Sequence, residues 1–250
     1  MTTKFNTIAA IILAVISMAI PSTSQAQVGL QTDLNHDSTV NISDVSYLIS
    51  LLMGRATDDA VAAGICPNAM HPHVIDLGLP SGTKWTCCNI GAATPLEYGD
   101  YYSWGEMSTK TDYSQNKYCY YDSGSDSYFS LGNDIAGTNY DVATIKWGEE
   151  YAMPTRNQIK ELVDNCTSKW TTIGGVKGRV FQSTNGNKIF LPAAGYRDVI
   201  LFDGGSLGNY WSSTQYTYDH SAYYLTFSSS EKDVDDDSRH YGDSVRPVAR

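Results

Sequence analysis

Twelve consecutive residues near the start of the chain carry side-chain oxygens at a fixed spacing, directly before an apolar helical pattern. Residues 33–44 read Asp-Leu-Asn-His-Asp-Ser-Thr-Val-Asn-Ile-Ser-Asp. Positions one, three, five, seven, nine and twelve of this stretch are occupied by Asp33, Asn35, Asp37, Thr39, Asn41 and Asp44. A calcium ion takes about six to eight oxygen ligands, and a twelve-residue loop supplies them from these positions. The spacing therefore predicts a calcium-binding loop.

The individual positions of this loop have distinct predicted roles. Thr39 would supply its backbone carbonyl, Asn41 would act through a water molecule, and Asp44 would close the loop from the next helix. Val40, at the eighth position, is the apolar residue that anchors such a loop. The alternative is an acidic, solvated turn, because Asp and Asn are common in turns and helix caps. A turn, however, does not require these oxygens and the apolar eighth residue together.

The loop and the helix after it depart from an ordinary EF-hand at two positions. Ser38 replaces the glycine of position six, and Asp44 replaces the glutamate of position twelve. An apolar stripe with helical spacing follows and stops at Gly54; its residues are Val45, Leu48, Ile49 and Leu52. Residues 33–54 resemble the type I dockerin repeat, which usually occurs twice and here occurs once. The resemblance implies a Ca²⁺ cofactor and a cohesin-like partner.

The N-terminal residues have the composition of a secretory signal peptide. Lys4 precedes a thirteen-residue apolar run, residues 8–20, which Pro21 and the small residues 22–26 follow. A membrane anchor, the alternative, needs about 20 apolar residues. We predict cleavage after Ala26 or Gln27 and an extracellular or cell-surface location without a membrane span, where abundant calcium would fill even a weak loop.

Charge and composition exclude some partners. The net charge of −10 becomes −11 when Lys4 leaves with the signal peptide. So acidic a chain is not expected to bind nucleic acid or anionic lipid through its charge. The 18 tyrosines and 21 glycines favour a loop-rich, aromatic extracellular domain.

The cysteine count is odd, so at most two disulfides can form within one chain. The five cysteines are Cys66, Cys87, Cys88, Cys119 and Cys166. They show no Cys-x-x-Cys pair and no zinc-site spacing with histidine. The sequence His71-Pro72-His73 is interpreted as part of a linker rather than as metal ligands.

Four segments make up the predicted organisation of the chain. They are a signal peptide over 1–26, a dockerin-like calcium module over 28–55, a linker over 56–72 and a large domain over 73–250.

Within the large domain, helices are predicted over 155–165, where Thr155 and Gln158 form a capping box, and over 141–147. A hairpin is predicted across 176–191 with Asn185-Gly186 as its turn. Further strands are predicted at 74–77, 84–89, 101–104, 210–213, 223–227 and 244–248. This order favours an α+β fold with antiparallel strands.

Six short sequence segments of the large domain form a recognisable series. In chain order they occupy residues 74–85, 99–106, 153–155, 190–197, 208–213 and 242–248. Together these segments resemble the Fibrobacter succinogenes major paralogous domain. The resemblance spans residues 73–250 and implies an α+β, C-type-lectin-like fold with few helices, related to the formylglycine-generating enzyme. It further implies a secreted or cell-surface location, and it assigns no reaction.

Aromatic and charged residues of this domain have structural as well as functional interpretations. Trp85, Trp104, Trp147 and Trp211 are predicted to pack in the core. Arg246 is predicted to pin the C-terminus through an ion pair or carbonyl contacts. The acidic stretch 233–237 is predicted to be a solvated loop. The functional alternative is a sugar-binding platform of exposed tyrosines, for which the candidates are Tyr101, Tyr102, Tyr210 and Tyr216.

Enzyme activity has little support in the sequence. Glycoside hydrolysis needs two carboxyl groups at a set distance, and the candidates are Glu97, Glu106, Glu149 and Glu150. The absence of cysteine after Cys166 argues against the copper-thiolate oxidase chemistry of the formylglycine-generating enzyme. The chain has no G-x-S-x-G elbow, no P-loop and no H-E-x-x-H.

Three hypotheses follow. The first is a secreted, calcium-binding, dockerin-like protein whose C-type-lectin-like domain binds a glycan or a protein without catalysis. The second is a component of an extracellular polysaccharide-degrading system with O-glycosyl hydrolase activity, which is what dockerins commonly accompany. The third is an adhesin or structural surface protein whose calcium loop only stiffens the N-terminus.

Replacement of Asp33 by alanine is expected to abolish most calcium stabilisation of the module. A ligand in hundredfold excess over its Kd stabilises the folded form by about 2.7 kcal/mol. Calcium titration calorimetry and melting with and without calcium measure the effect, with Asp58→Ala outside the loop as the control. A wild-type chain with neither calcium heat nor calcium-dependent melting would contradict the prediction.

Overall fold

Short antiparallel sheets dominate residues 59–250, the part of the chain that the computed structural model describes. The predicted signal peptide, calcium loop and following helix lie outside these residues. The sheets contain two to four strands each, and helices are few. The described part is therefore a β-rich α+β structure, and the predicted antiparallel pairing of its strands is confirmed.

A four-stranded sheet brings the two ends of the large domain together. In spatial order its strands are β1 (Val74–Asp76), β2 (Lys84–Thr86), β14 (Val248–Ala249) and β5 (Tyr151–Ala152). Val248 pairs with Trp85 on one side and with Ala152 on the other. The end of the chain therefore lies inside this sheet rather than at its edge.

The predicted hairpin across 176–191 belongs to a three-stranded sheet. Its strands are β6 (Thr167–Ile173), β7 (Val176–Gln182) and β8 (Lys188–Pro192). The hairpin is confirmed, but its last strand pair is Gln182 with Lys188, so the connection is a five-residue loop and not a two-residue turn. The Asn185 side chain holds this loop, since its Oδ1 accepts hydrogen bonds from Ser183 Oγ at 2.5 Å and Asn187 N at 2.9 Å. Local side-chain bonds of this kind compete with the tighter turn.

A third sheet contains the acidic stretch. Its strands are β11 (Gly208–Gln215), β12 (Ser221–Phe227) and β13 (Lys232–Ser238). Every residue of β13 pairs with β12, so the prediction of a solvated loop over 233–237 was wrong. Val234 lies opposite Leu225 and packs against the core, while Asp233 and Asp235 are exposed. Pairing along a whole neighbouring strand outweighs the low strand propensity of aspartate.

Two of the α-helices in the described residues begin at side-chain caps, and the sequence predicts the one at Thr155. The helices are α1 (Asp59–Ala62), α2 (Val142–Trp147) and α3 (Arg156–Asn165). Asp141 accepts hydrogen bonds from the first backbone N–H groups of α2, and Thr155 and Gln158 form the capping box of α3. Helix α3 packs against the sheet of β11, β12 and β13. Both predicted helices are confirmed.

Two small hairpins complete the strands of the described residues, and isolated bridges occur outside them. The hairpins pair β3 (Tyr121–Asp122) with β4 (Ser127–Tyr128) and β9 (Tyr196–Arg197) with β10 (Leu201–Phe202). The strand predicted at 101–104 is a single bridge between Tyr102 and Asp243. In the strand predicted at 244–248, Ser244 makes only a bridge to Tyr210, and regular pairing starts at Val248.

Residues 59–72, which belong to the stretch predicted as a linker, pack onto the domain. Ala60, Ile65 and Cys66 are buried in the same core cluster as Trp85 and Phe181. This segment therefore contributes apolar surface to the core, in addition to connecting two parts of the chain.

Tryptophans fill the two main core clusters. Trp85 lies in the first, and Trp104 and Trp211 lie in the second. All three are at most 1% exposed, as predicted, whereas Trp147 is only partly buried. Trp104 Nε1 donates to the carbonyl of Ser212 at 2.9 Å, and Trp211 Nε1 donates to the carbonyl of Tyr102 at 2.7 Å. The buried indole N–H groups of these two residues thus keep hydrogen-bond partners.

Arg246 is the most heavily bonded buried cation of the described residues. Its guanidinium donates to Asn89 Oδ1 at 2.7 Å, to the carbonyl of Thr86 at 3.1 Å, to the carbonyl of Cys87 and to the carbonyl of Phe190 at 3.1 Å. The side chain is 1% exposed. The predicted carbonyl contacts of Arg246 are therefore confirmed, and they connect the C-terminal segment to β8 and to the end of β2.

Replacement of Arg246 by lysine is expected to lower the free energy of unfolding by about 2–4 kcal/mol, because one ammonium cannot satisfy acceptors on several sides of a planar guanidinium. Urea denaturation measures the change. Arg250→Lys, at an exposed position, is the matched control. Equal stability of the two variants would contradict the proposed role of Arg246.

Candidate functional site

Four potential metal ligands from three segments of the chain meet at one point. They are Cys66, His71, His73 and Cys87, and their ligand atoms all lie within 4.8 Å of one another. We call them the Cys/His cluster. Cys66, His71 and Cys87 are buried and His73 is partly buried. Such burial distinguishes the cluster from exposed acidic groups, which are common on protein surfaces.

The β1–β2 hairpin positions two members of the cluster. His73 immediately precedes β1 and Cys87 immediately follows β2, so the two lie opposite each other beyond the last paired residues. The Cys87 N–H donates to the His73 carbonyl at 2.9 Å, and the His73 N–H donates to Cys87 Sγ at 2.9 Å. Helix α1 and the turn after it bring Cys66 to the same place.

The imidazole rings present the same nitrogen to the centre of the cluster. Nδ1 of His71 and Nδ1 of His73 are 3.2 Å apart, and they lie 3.5 Å and 3.7 Å from Cys87 Sγ. On its other side, Nε2 of His73 lies 3.1 Å from Asn68 Oδ1. The amide oxygen can only accept, so it selects the tautomer of His73 with the proton on Nε2. The Nδ1 lone pair of His73 is then available to a ligand.

Neighbouring groups stabilise a thiolate at Cys87. Hydrogen bonds with the side chains of Cys66 and Cys88 lower the pKa of Cys87, and contacts with His71 and the His73 N–H act in the same direction. Burial raises the pKa of the adjacent Cys88, whose Sγ is 3.5 Å from Cys87 Sγ. Cys88 therefore stays protonated and can donate to Cys87. None of the five cysteines, all of which lie within residues 59–250, is in a disulfide.

The chemistry of this cluster suits a borderline or soft cation and not calcium. Calcium takes oxygen ligands, whereas two sulfurs with two imidazole nitrogens suit zinc and related metals. The predicted calcium ligands, Asp33 to Asp44, lie outside the described residues. Within residues 59–250 the structure shows a group of histidine and cysteine ligands that could hold a metal ion, and its donor atoms are not those that calcium takes.

Sequence reasoning missed the Cys/His cluster, because His71-Pro72-His73 was interpreted as linker. The cluster has the spacing Cys-x4-His-x-His-x13-Cys, which differs from the regular ligand pairs of zinc fingers. The sequence feature that could have indicated a metal site is the pair of histidines with a cysteine on either side of it along the chain. Only the pairing of β1 with β2 shows that Cys87 returns to His73.

Three of the four tyrosines predicted to form a sugar-binding platform are in the core. Tyr101, Tyr102 and Tyr210 are at most 7% exposed, so their assignment to a surface was wrong. Their hydroxyls form hydrogen bonds within the domain; for example, the Tyr210 hydroxyl donates to the Pro192 carbonyl at 2.6 Å. Tyr216 alone among the four lies at the surface, where it is half-buried.

Tyr216 belongs to a continuous row of six rings that we call the aromatic surface. Successive ring centroids are 4.9 Å (Tyr223–Tyr216), 5.7 Å (Tyr216–Tyr218), 5.7 Å (Tyr218–His220), 6.2 Å (His220–Tyr128) and 5.1 Å (Tyr128–Tyr121) apart. Tyr218 is 61% exposed, and its ring is parallel to that of His220 within 3°. The row runs from β12 across the loop 216–220 to the β3–β4 hairpin.

A buried arginine ties the two halves of the aromatic surface together. Arg239 is fully buried and donates to the carbonyl of Asp219 at 2.7 Å and to the carbonyl of Phe129 at 3.1 Å. Its guanidinium also lies over the rings of Trp104 and Tyr128, at 4.8 Å and 5.8 Å. The loop 216–220 and the β3–β4 hairpin are thus held by one cation.

Carboxylates border the aromatic surface. Asp126 Oδ1 accepts from the hydroxyl of Tyr121 at 2.8 Å, and Asp219 Oδ1 lies 3.9 Å from His220 Nδ1. Asp236 pairs with Tyr223 across β12 and β13, and its charge raises the pKa of Tyr216. Hydrogen-bond acceptors with negative charge therefore lie at several points along the row.

Two of the glutamates considered for glycoside hydrolysis, Glu97 and Glu106, make hydrogen bonds or an ion pair with neighbouring residues. Glu106 forms an ion pair with Lys110 at 2.6 Å and accepts from the backbone N–H of Cys119. Glu97 accepts from the backbone N–H of Ala93 at 2.9 Å. These contacts are structural in kind.

Comparison with known proteins gives no assignment: no family model, no curated protein and no solved structure matches the chain. No helix within residues 59–250 has the length and apolar character needed to span a bilayer.

Asp237, at the end of acidic strand β13, predicts a pH dependence of stability. Burial, together with the charges of Asp236 and Asp235, raises the pKa of Asp237 from 3.8 to about 6. A group whose pKa is raised on folding binds more protons in the folded state, so stability falls as pH rises from about 4 to about 6.

Asp237→Asn is expected to raise the free energy of unfolding at neutral pH by roughly 1–3 kcal/mol and to have little effect near pH 4. Urea denaturation at both pH values measures the difference. Asp233→Asn, at an exposed position of the same strand, is the control. A gain for Asp237→Asn of equal size at both pH values would contradict the assignment.

Proposed function

We propose that the chain is an exported binding protein with two parts, a dockerin-like calcium module over 28–55 and a C-type-lectin-like domain that binds glycans without catalysis. The module would bind calcium through the loop 33–44 and a cohesin-like protein through its helix. The resemblances in the sequence support this division, and the β-rich α+β structure of residues 59–250 is compatible with the second part.

The aromatic surface carries the proposal of glycan binding. Sugar rings have apolar C–H faces, which pack against aromatic rings, and hydroxyl edges, which hydrogen-bond to carboxylates. Tyr218 and His220 offer a pair of parallel exposed rings, and Asp219 lies beside them. Apolar contact area with a few polar groups at its border is the usual composition of a small-molecule site.

The rigidity of the row favours binding. A ligand that binds preformed groups loses less free energy to the ordering of side chains. Arg239 already holds the loop 216–220 against the β3–β4 hairpin, and the Tyr216 N–H donates to the Ser221 carbonyl at 3.1 Å.

The negative charge around the aromatic surface indicates which class of glycan it favours. Asp126, Asp219 and Asp236 border the rings, and the whole chain has a net charge of −10. An acidic sugar would meet like charges, which disfavour its binding. We therefore expect neutral glycans to bind in preference to sialylated or uronic-acid-containing ones.

Tyr218→Ala is expected to weaken glycan binding at least tenfold, because stacking area is lost, while Tyr218→Phe keeps the ring and retains most of the affinity. A glycan array with neutral and acidic glycans identifies the ligand, and titration calorimetry with the best one compares the variants. Circular dichroism checks that Tyr218→Ala stays folded.

Two results would contradict this function. One is an array on which the wild-type chain binds no glycan. The other is a glycan whose affinity does not change in Tyr218→Ala, which would place its binding site elsewhere on the chain.

A further inference from the structure

The separations within the Cys/His cluster match those of a tetrahedral zinc site. Zn–S bonds of about 2.3 Å and Zn–N bonds of about 2.0–2.1 Å give S···N separations of about 3.5–3.6 Å and an N···N separation of about 3.3–3.4 Å in a tetrahedron. The two S···N separations at Cys87 are 3.5 Å and 3.7 Å, and the N···N separation between His71 and His73 is 3.2 Å.

The fourth ligand, Cys66, completes the group. No two ligand atoms of the four are more than 4.8 Å apart, which exceeds the longest edge of such a tetrahedron by about 1 Å. Cys66 is buried and lies in the same core cluster as Cys87. The four donors therefore lie within about 1 Å of the separations that a common tetrahedral centre requires.

The surroundings of the cluster have the features that tune a metal site. A histidine that binds metal normally donates its other ring N–H to a carboxylate, a carbonyl oxygen or water. Asn68 Oδ1 supplies this acceptor to His73 and is held in place by the backbone N–H of Met70 at 2.9 Å. The backbone N–H of His73 donates to Cys87 Sγ, and this hydrogen bond stabilises the thiolate form that binds metal.

Charge balance favours a dipositive ion at this point. Two thiolates and two neutral imidazoles around Zn²⁺ sum to zero net charge, and an uncharged assembly is far less costly to bury than isolated ions. The net charge of the buried centre is thus compatible with its position in the core.

We infer that Cys66, His71, His73 and Cys87 form a closed, structural zinc site that joins the segment before β1 to the β1–β2 hairpin. The four protein ligands fill a tetrahedron and leave no position for water, as in structural rather than catalytic zinc sites. The site shares no residue with the predicted calcium loop or with the aromatic surface. It therefore goes beyond the proposed function and stands or falls independently of it.

Zinc would also determine the redox state of the two cysteines. If the chain is exported, Cys66 and Cys87 meet an oxidising environment in which neighbouring thiols form disulfides. Coordination to zinc occupies both sulfurs. A Cys66–Cys87 disulfide is therefore the competing state, and the experiment must distinguish the two.

The first test uses the full chain purified without chelator. Elemental analysis by mass spectrometry is expected to find one zinc per chain. Replacement by Co²⁺ is expected to give the visible absorption of a tetrahedral ion together with a thiolate-to-cobalt charge-transfer band. Chelation of the zinc is expected to lower the melting temperature by roughly 5–10 °C, on the basis of binding linkage.

The second test compares cysteine variants. Cys66→Ser is expected to lower zinc affinity at least a hundredfold, and Cys166→Ser, which changes a buried cysteine of the same core cluster outside the site, is expected to keep one zinc per chain. In the wild-type chain, alkylation with and without chelator, followed by peptide mass analysis, is expected to show metal-dependent protection of Cys66 and Cys87. This measurement needs no variant, so it decides the question even if Cys66→Ser fails to fold.

Several outcomes would overturn the inference. They are a wild-type chain that binds neither zinc nor cobalt after reduction, cobalt absorption without a thiolate charge-transfer band, and equal loss of zinc in Cys66→Ser and Cys166→Ser. Preferential retention of copper or iron over zinc would also overturn it. A Cys66–Cys87 disulfide that persists in the purified chain in place of metal would establish the competing state.

Discussion

The buried guanidinium of Arg246 is the contact on which the arrangement of the domain most depends. Arg246 lies in the segment that continues into β14. Its guanidinium donates to backbone carbonyls at the end of β2 and in β8. One of those carbonyls belongs to Cys87, a member of the Cys/His cluster. A single side chain near the end of the chain thus fixes both the four-stranded sheet and one of the proposed zinc ligands.

Patterns with a local physical cause were predictable from the sequence. The caps at Asp141 and Thr155 use side chains within three residues of the helix start, and the structure contains both helices. The burial of Trp104 and Trp211 follows from their size and apolar character. Local hydrogen bonding and hydrophobicity therefore account for these elements without knowledge of the rest of the chain.

Features that depend on distant pairing were not predictable in the same way. Strand β13 forms because β12 offers a complete row of partners, although its own residues are mostly aspartate. The exposure of the tyrosines also depends on distant contacts. Tyr210 is buried because it stacks on Phe227 and donates to the Pro192 carbonyl, whereas Tyr218 lies on an exposed loop. The Cys/His cluster requires the β1–β2 hairpin to bring residue 87 back to residue 73. In each case the deciding contact joins residues that are well separated along the chain.

The row of aspartates on β13 has a consequence for self-association. Within the described residues this strand pairs only with β12, so its outer edge presents backbone groups without strand partners. An open edge of this kind is a template for pairing with another copy of the chain. Asp233 and Asp235 are exposed on this strand, and each accepts a hydrogen bond from the backbone N–H of the next residue, so two copies that paired at this edge would bring like charges together. The acidity that makes this strand difficult to predict from the sequence therefore also disfavours its pairing with a second copy of the chain.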